Sequence, residues 1–215
     1  LNAQPMGFYA PAQIVRDAAE HGAEIRAVDI NASQWDCTLE QAEAPPKIHP
    51  RHIAMQEDIR TARALRLGFR QAKGLSKDDA ENIVAKRGRG FDSIRDVWLR
   101  TGISPSVIET LANADAFRSL GLDRREALWA AKGLGRVGGQ DDLPLFASTF
   151  DPTREPDYYL PSMPLGEHVV EDYRHLTLSL KAHPAALLRE ALTARGVTLA
   201  GDLPNTPDGA RIRVA

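Results

Sequence analysis

The stretch Gly74-Leu75-Ser76-Lys77-Asp78-Asp79-Ala80-Glu81-Asn82-Ile83-Val84 recurs in outline as Gly102-Ile103-Ser104-Pro105-Ser106-Val107-Ile108-Glu109-Thr110-Leu111-Ala112. Glycine, serine and glutamate coincide, and the second, seventh, tenth and eleventh places are apolar in both. That spacing is one face of a helix preceded by an anchored turn, so each copy predicts a turn feeding a helix. Gly74 and Gly102 permit a positive backbone angle and close approach, while Ser76 and Ser104 are natural N-caps. Asp79, three residues after Ser76, adds a capping-box-like acid, and Pro105 suits the first helical position. Such turns expose helix N-terminal amides, which with the positive end of the helix dipole form an anion site. Lys73 and Lys77 flank the first turn and make phosphate the expected anion.

One Gly-apolar-Ser turn is an ordinary way to join two helices; two copies in a basic context argue for more. Residues 60 to 136 hold 16 Lys/Arg against 9 Asp/Glu, whereas residues 137 to 175 hold 2 against 8. The formal charge of -2 averages over these unlike segments. A basic module followed by an acidic linker is the distribution of a chain that contacts nucleic acid in its middle. Two phosphate sites on one face would suit the backbone of a duplex and read position rather than sequence, since no helix face is offered to base edges. The candidate phosphate-binding residues are Lys73, Gly74, Leu75, Ser76, Lys77, Gly102, Ile103 and Ser104. Lys132-Gly133-Leu134-Gly135 repeats the turn once more, but glycines follow it and it is assigned no site.

Outward from the repeat, the pattern predicts a first helix over Ala10 to His21, with Pro11 in its first turn and Gly22 as its stop. Glu24 to Ile30 alternates with period two, as a half-buried strand does, and Ala64 to Phe69 is its candidate partner. Asn31 to Arg60, with Pro45, Pro46 and Pro50, reads as loop. Gln71 to Leu134 reads as helical, Gly138 to Pro164 as an extended acidic linker, and Leu165 to Leu180 and Ala185 to Arg195 as helices. Leu1 opens inside a helix-like pattern and Arg211 to Ala215 reads as a strand just starting, so both ends are expected to be cut. The expected fold class is mainly α with a small strand pair (α+β).

With 215 residues, 43% of them hydrophobic, the chain has the length of one or two small domains. No apolar run approaches the ~20 residues of a membrane span, and no secretory signal opens the chain, so a cytoplasmic location is expected. Cys37 alone forms no internal disulfide and is read as a half-buried thiol. The six histidines show no metal-ligand spacing, and Trp98 and Trp129, at helical spacing among apolar neighbours, are expected in the core. Asp78-Asp79 and Asp141-Asp142 are read as capping or solvated charge. No hydrolase motif is present.

The paired turns resemble the helix-hairpin-helix family, whose hairpins hold DNA through backbone amides. A wider resemblance covers almost the whole chain. Leu1 to Pro11, Val28-Asp29-Ile30-Asn31 and Arg66-Leu67-Gly68-Phe69 leading into Lys73-Gly74 look like the end of the fingers region of the DNA polymerase III alpha chain. Ala114-Asp115-Ala116-Phe117, Leu120-Gly121 and Arg124-Arg125 are similar to that family's exit from the second hairpin. Met163 to His168 and Ser179 to Pro184 look most like its error-prone branch, and Arg211 to Ala215 resembles the first strand of the OB domain that follows.

The resemblance divides the chain into a fingers-like segment (1–67), a tandem helix-hairpin-helix unit (68–136), a linker (137–164), a helical segment (165–200) and the start of an OB-like domain (201–215). It implies a parent enzyme that adds deoxynucleotides on a template with magnesium held by palm aspartates, which lie upstream in the family. No residue here matches that motif, so no cofactor is expected in this chain, and the polypeptide alone is expected not to extend a primer. Gln140-Asp141-Asp142-Leu143-Pro144-Leu145-Phe146 resembles the bacterial sliding-clamp-binding peptide, with Leu143, Leu145 and Phe146 as apolar anchors and Gln140 setting register. The implied partners are double-stranded DNA, the clamp and accessory damage-tolerance proteins. The alternatives are a free-standing DNA-binding or interaction module using the same hairpins, which sequence upstream of Leu1 would separate, and a scaffold whose hairpins only pack.

Overall fold

Pro11 fills the first position of helix α1 (Pro11–Glu20), as expected, and the Gln13 side chain adds a cap beyond that expectation, accepting the Ala10 N–H at 2.9 Å. Gly22, at φ +87°, turns the chain out of it. The computed structural model describes residues 1–4, 7–59, 62–134 and 160–214. Residues 1–4 form a turn, closed by Gln4 N–H on Leu1 O at 3.2 Å, rather than the helical start expected at Leu1.

Strands β1 (Glu24–Arg26), β2 (Thr38–Gln41) and β3 (Arg63–Arg66) form one sheet in the order β1-β3-β2. β3 runs parallel to β1 and antiparallel to β2, with Leu65 level with both Ile25 and Leu39. The anticipated strand pair is therefore present, but a third strand lies in the stretch expected to be loop, as does a 3-10 helix over Pro50–Met55. β2 leaves little apolar pattern in the sequence because it is an edge strand with little to bury, Leu39 being 69% exposed. Charge holds it: Glu40 accepts from Arg66 Nε at 3.0 Å and from Arg26 Nη1 at 2.7 Å. β1 ends at Arg26 instead of continuing to Ile30, because beyond it the backbone turns to other partners. Ile30 N–H donates to Ala116 O at 2.7 Å, in the exit from the second hairpin.

The hairpin region supplies four helices: α2 (Lys77–Arg87), α3 (Ile94–Thr101), α4 (Pro105–Asn113) and α5 (Arg124–Gly133). Beyond the undescribed residues come α6 (Leu165–Leu176), α7 (Pro184–Leu187) and α8 (Arg189–Ala194). α6 stops short of Leu180 because Thr177 adopts φ +65°, and the expected last helix is two short ones meeting at Leu188. Val197–Thr198 (β4) and Arg213–Val214 (β5) pair in parallel, so a strand does form near the end. The mainly helical class with a small sheet is what the chain adopts.

A single core runs through sheet and helices, joining Val28, Ile30, Leu67 and Phe69 to Ile83, Ile94, Val97, Ile108, Leu111 and Phe117, and then to Leu176 and Leu178. Polar ties reinforce it. Asn31 exchanges two bonds with Phe91, Oδ1 accepting at 2.7 Å and Nδ2 donating at 2.9 Å. Buried Arg87 donates to the carbonyls of Ile30, at 2.9 Å, and Ser33. Trp98 packs on this core, but Trp129 is 52% exposed and does not join it, because its turn of α5 faces outward while Ala127 and Ala131 face in. Cys37 is buried and accepts the Gly68 N–H at 3.4 Å.

Candidate nucleic-acid interface

The first turn is built by short-range chemistry. Phe69–Gln71 forms a 3-10 helix, Gly74 follows at φ +87°, and Ser76 caps α2 by accepting Asp79 N–H at 3.1 Å. The Ser76 hydroxyl donates in turn to Asp79 Oδ2 at 2.6 Å, so the acid expected to complete a capping box bonds the serine side chain instead of the Ser76 N–H. Leu75 points into the core and anchors the turn, leaving Lys73, Gly74, Ser76 and Lys77 at the surface. Lys73 N–H donates to His175 O at 2.9 Å and Leu75 N–H to Ala72 O at 3.3 Å. Among the described residues, no acceptor takes the amides of Gly74 and Ser76.

The second turn follows α3, with Gly102 left-handed at φ +66° and its N–H on Trp98 O at 2.9 Å. Ile103 is the buried anchor here, and its N–H reaches Thr101 Oγ1 at 3.4 Å. Gly102 and Ser104 are exposed, and Pro105 takes the first position of α4 as its φ predisposes it to. Ser104 adopts the N-cap conformation but makes no side-chain cap bond; its hydroxyl pairs with Ser106 Oγ at 2.8 Å. No described acceptor takes the amides of Ser104 and Ser106.

The two turns are neighbours. A Cβ placed on Gly74 would come 4.0 Å from Thr110 Cγ2, on α4, the helix that Ser104 precedes. Ser104 and Thr110 are separated by about 9 Å of helix rise. Asn82 of α2 donates to Thr101 O at 2.8 Å, tying the first unit to the entry of the second. Both turns therefore stand exposed beside α4. Their electrostatics differ: α2 carries Asp78 and Asp79 in its first turn, whereas α4 carries no acid there. The helix dipole favours an anion at the N-terminus of each of these helices, and the second turn offers it with less competition.

Lys77 pairs with Glu81 at 3.4 Å, both side chains being largely exposed, so the pair is worth little and can yield to another anion. Lys73 has no carboxylate partner among the described residues. Ser106 and Thr110 were not singled out from sequence, although their places in the second copy were in view. His175, whose carbonyl holds Lys73, carries no local signal at all, since the contact comes from a distant segment. Burial lowers the pKa of the His175 ring below the ordinary imidazole value, against the pull of Glu171 at 3.2 Å. Gln140, Leu143, Leu145 and Phe146 lie outside the described residues, as does nearly all of the expected linker. Among the described residues no group of three or more His, Cys, Asp or Glu could hold a metal ion, and no helix is long and apolar enough to cross a membrane.

A helix-hairpin-helix motif family matches residues 22–127, which includes both turns. The error-prone DNA polymerase of Mesorhizobium japonicum is 56% identical over 218 residues, covering 100% of this chain and 20% of that protein. Error-prone DNA polymerase 1 of Rhizobium meliloti is 55% identical over 219 residues, again 100% of this chain and 20% of the relative. The error-prone DNA polymerase of Caulobacter vibrioides is 46% identical over 220 residues, with the same two coverages. The chain thus spans about one fifth of the length of these curated relatives.

Proposed function

Since the chain belongs to the error-prone DNA polymerase family, of which it spans about one fifth, we propose that it is the part of such an enzyme that grips duplex DNA through backbone phosphates. The observation that carries this reading is the pair of exposed glycine turns, each with main-chain amides at a helix start that no acceptor among the described residues takes, standing side by side along α4. Amides and lysines in that arrangement bind phosphate oxygens and read no bases, so the grip is independent of sequence. The parent enzyme adds deoxynucleotides to a primer in damage tolerance, with magnesium ions held outside this chain, in the cytoplasm. Holding the product duplex is the contribution of residues 68 to 136.

Binding of this kind is weak and steeply salt-dependent, because its free energy comes from counterion release. Measured by fluorescence anisotropy on a labelled duplex across a salt series, affinity should fall steeply as salt rises, and Lys73→Glu with Lys77→Glu should weaken it on all sequences alike. Affinity that ignores salt, or ignores that double substitution, removes the phosphate grip and leaves the hairpins as packing elements.

The peptide Gln140 to Phe146 adds a second contact, to the sliding clamp, with Leu143, Leu145 and Phe146 filling an apolar pocket. Titrating purified clamp into the chain and into Leu145→Ala, Phe146→Ala tests this; equal affinities would assign clamp contact to an accessory damage-tolerance protein instead.

A further inference from the structure

Arg124, at the start of α5, is wholly buried, and Asp172 of α6 nearly so. Arg124 Nη2 donates to Asp172 Oδ1, and its Nη1 donates to His168 O at 3.1 Å. Ser179 Oγ donates to Asp172 Oδ2 at 2.7 Å, and Lys181 Nζ lies 3.1 Å from both carboxylate oxygens. Lys181 also reaches Asp115 Oδ2 at 2.9 Å, while Arg118 Nε donates to Asp115 Oδ1 at 2.9 Å. Asp115 sits just past α4 in a left-handed conformation, φ +59°. One cluster of charges therefore joins the exit of the second hairpin, the start of α5, α6 and the segment after it.

Buried ion pairs are poor sources of net stability, because desolvation offsets most of the attraction. Here Arg124 Nε lacks a hydrogen-bond partner among the described residues, a further cost. What such a cluster supplies is register. Only one rotation and one axial position of α6 bring Asp172 to Arg124, Ser179 and Lys181 together. His175 lies one helical turn further on, and its carbonyl accepts Lys73 N–H at 2.9 Å. Any slip of α6 is transmitted directly to the first turn.

We propose that the Arg124–Asp172–Lys181–Asp115 cluster is a positioning device for the first phosphate-binding turn. It locks α6 to the exit of the second hairpin, α6 locks Lys73, and the spacing of the two turns is thereby set to that of phosphates on a duplex. This rests on the phosphate-gripping reading above. Asp172 and Lys181 are positioning residues, acting through the main chain at Lys73.

The test is duplex binding by the chain in a salt series, combined with double-mutant cycles. Lys77→Glu disables the first turn and Ser104→Asp, which keeps a good N-cap, sets a carboxylate against phosphate at the second. For Asp172→Asn, the slope of log affinity against log salt should shrink by about 0.9 for each phosphate contact given up. Its effect should vanish in the Lys77→Glu background and persist in the Ser104→Asp background, which a general loss of stability would not do. Lys181→Gln, less buried, should reproduce the pattern and serves if Asp172→Asn does not fold. Wild-type slopes in both variants, or effects that simply add to Lys77→Glu, overturn the positioning role. If Lys77→Glu and Ser104→Asp themselves leave binding intact, the phosphate-gripping reading falls and the positioning role falls with it.

Discussion

Gly68 and Gly102 should both resist replacement by alanine, for opposite reasons and by different amounts. At Gly102 a Cβ meets nothing within 4 Å, but the backbone stands at φ +66°. Alanine there costs only the left-handed strain, about 1–2 kcal/mol, which in a chain of this size lowers Tm by roughly 2–8 °C. At Gly68 φ is -84°, open to any residue, but the new Cβ would lie 2.4 Å from Asp36 C and Trp35 O. Those are main-chain atoms, so the two segments must part. Parting them strains Phe69 N–H on Gln34 O at 2.8 Å and Arg70 N–H on Trp35 O at 3.1 Å, and lifts fully buried Phe69 from its seat. Two bonds at about 1 kcal/mol each and a disturbed core side chain bring the cost to about 4 kcal/mol, or a Tm lower by roughly 8–16 °C. Thermal unfolding followed by circular dichroism reads both. Gly102→Asn should recover part of the smaller loss, since asparagine tolerates left-handed backbone. A Gly68→Ala protein that melts like the wild type, or below which Gly102→Ala falls, would refute the contrast between steric and conformational cost.

Other outcomes follow from named contacts. Arg87→Met should destabilise the chain by about 2–3 kcal/mol, read from denaturant midpoints, because the carbonyls of Ile30 and Ser33 lose a charged donor. Glu40 has its pKa lowered, chiefly by the hydrogen bond from Arg66 and then by Arg26, with partial burial opposing. Its stabilisation is therefore full above the ordinary glutamate value of 4.5 and lost as pH falls through the lower folded value, and Glu40→Gln should flatten the acid limb of a Tm–pH curve. Burial, helped by Lys181, lowers the pKa of His168 below 6.5, so the unfolded chain binds the extra proton first. Stability should fall as pH drops below that value, and His168→Gln should reduce this slope, leaving the part that His175, lowered in the same direction, contributes. A primer-extension assay with the purified chain, magnesium and deoxynucleotides should show no incorporation, and any incorporation by a pure sample would place catalytic carboxylates inside these residues.

Much of the fold was legible because it is settled within a few residues. Ser76 caps α2, Pro105 opens α4, and Gly74 and Gly102 take positive φ, all from chemistry that acts across one turn of chain. The strand pairing of residues 24–26 with 64–66 was equally readable, since a half-buried strand announces itself by alternation. β2 was not, because its place is fixed by Glu40 meeting Arg26 and Arg66, and neither arginine lies near it in the chain. Trp129 looked like core by spacing, yet α5 turns Ala127 and Ala131 inward in its stead.

The sequence by itself determined that two glycine turns feed helices in a basic stretch, the first capped by Ser76 and the second opened by Pro105, because torsional freedom, N-cap hydrogen bonding and the fixed φ of proline are local. Tertiary structure alone decided that the two turns stand beside α4, and that Lys73 surrenders its amide to His175 on α6. Buried Arg124, Asp172 and Asp115 meet the more exposed Lys181 across the same elements, and the energies of such contacts depend on distance in space, which no spacing along the chain encodes.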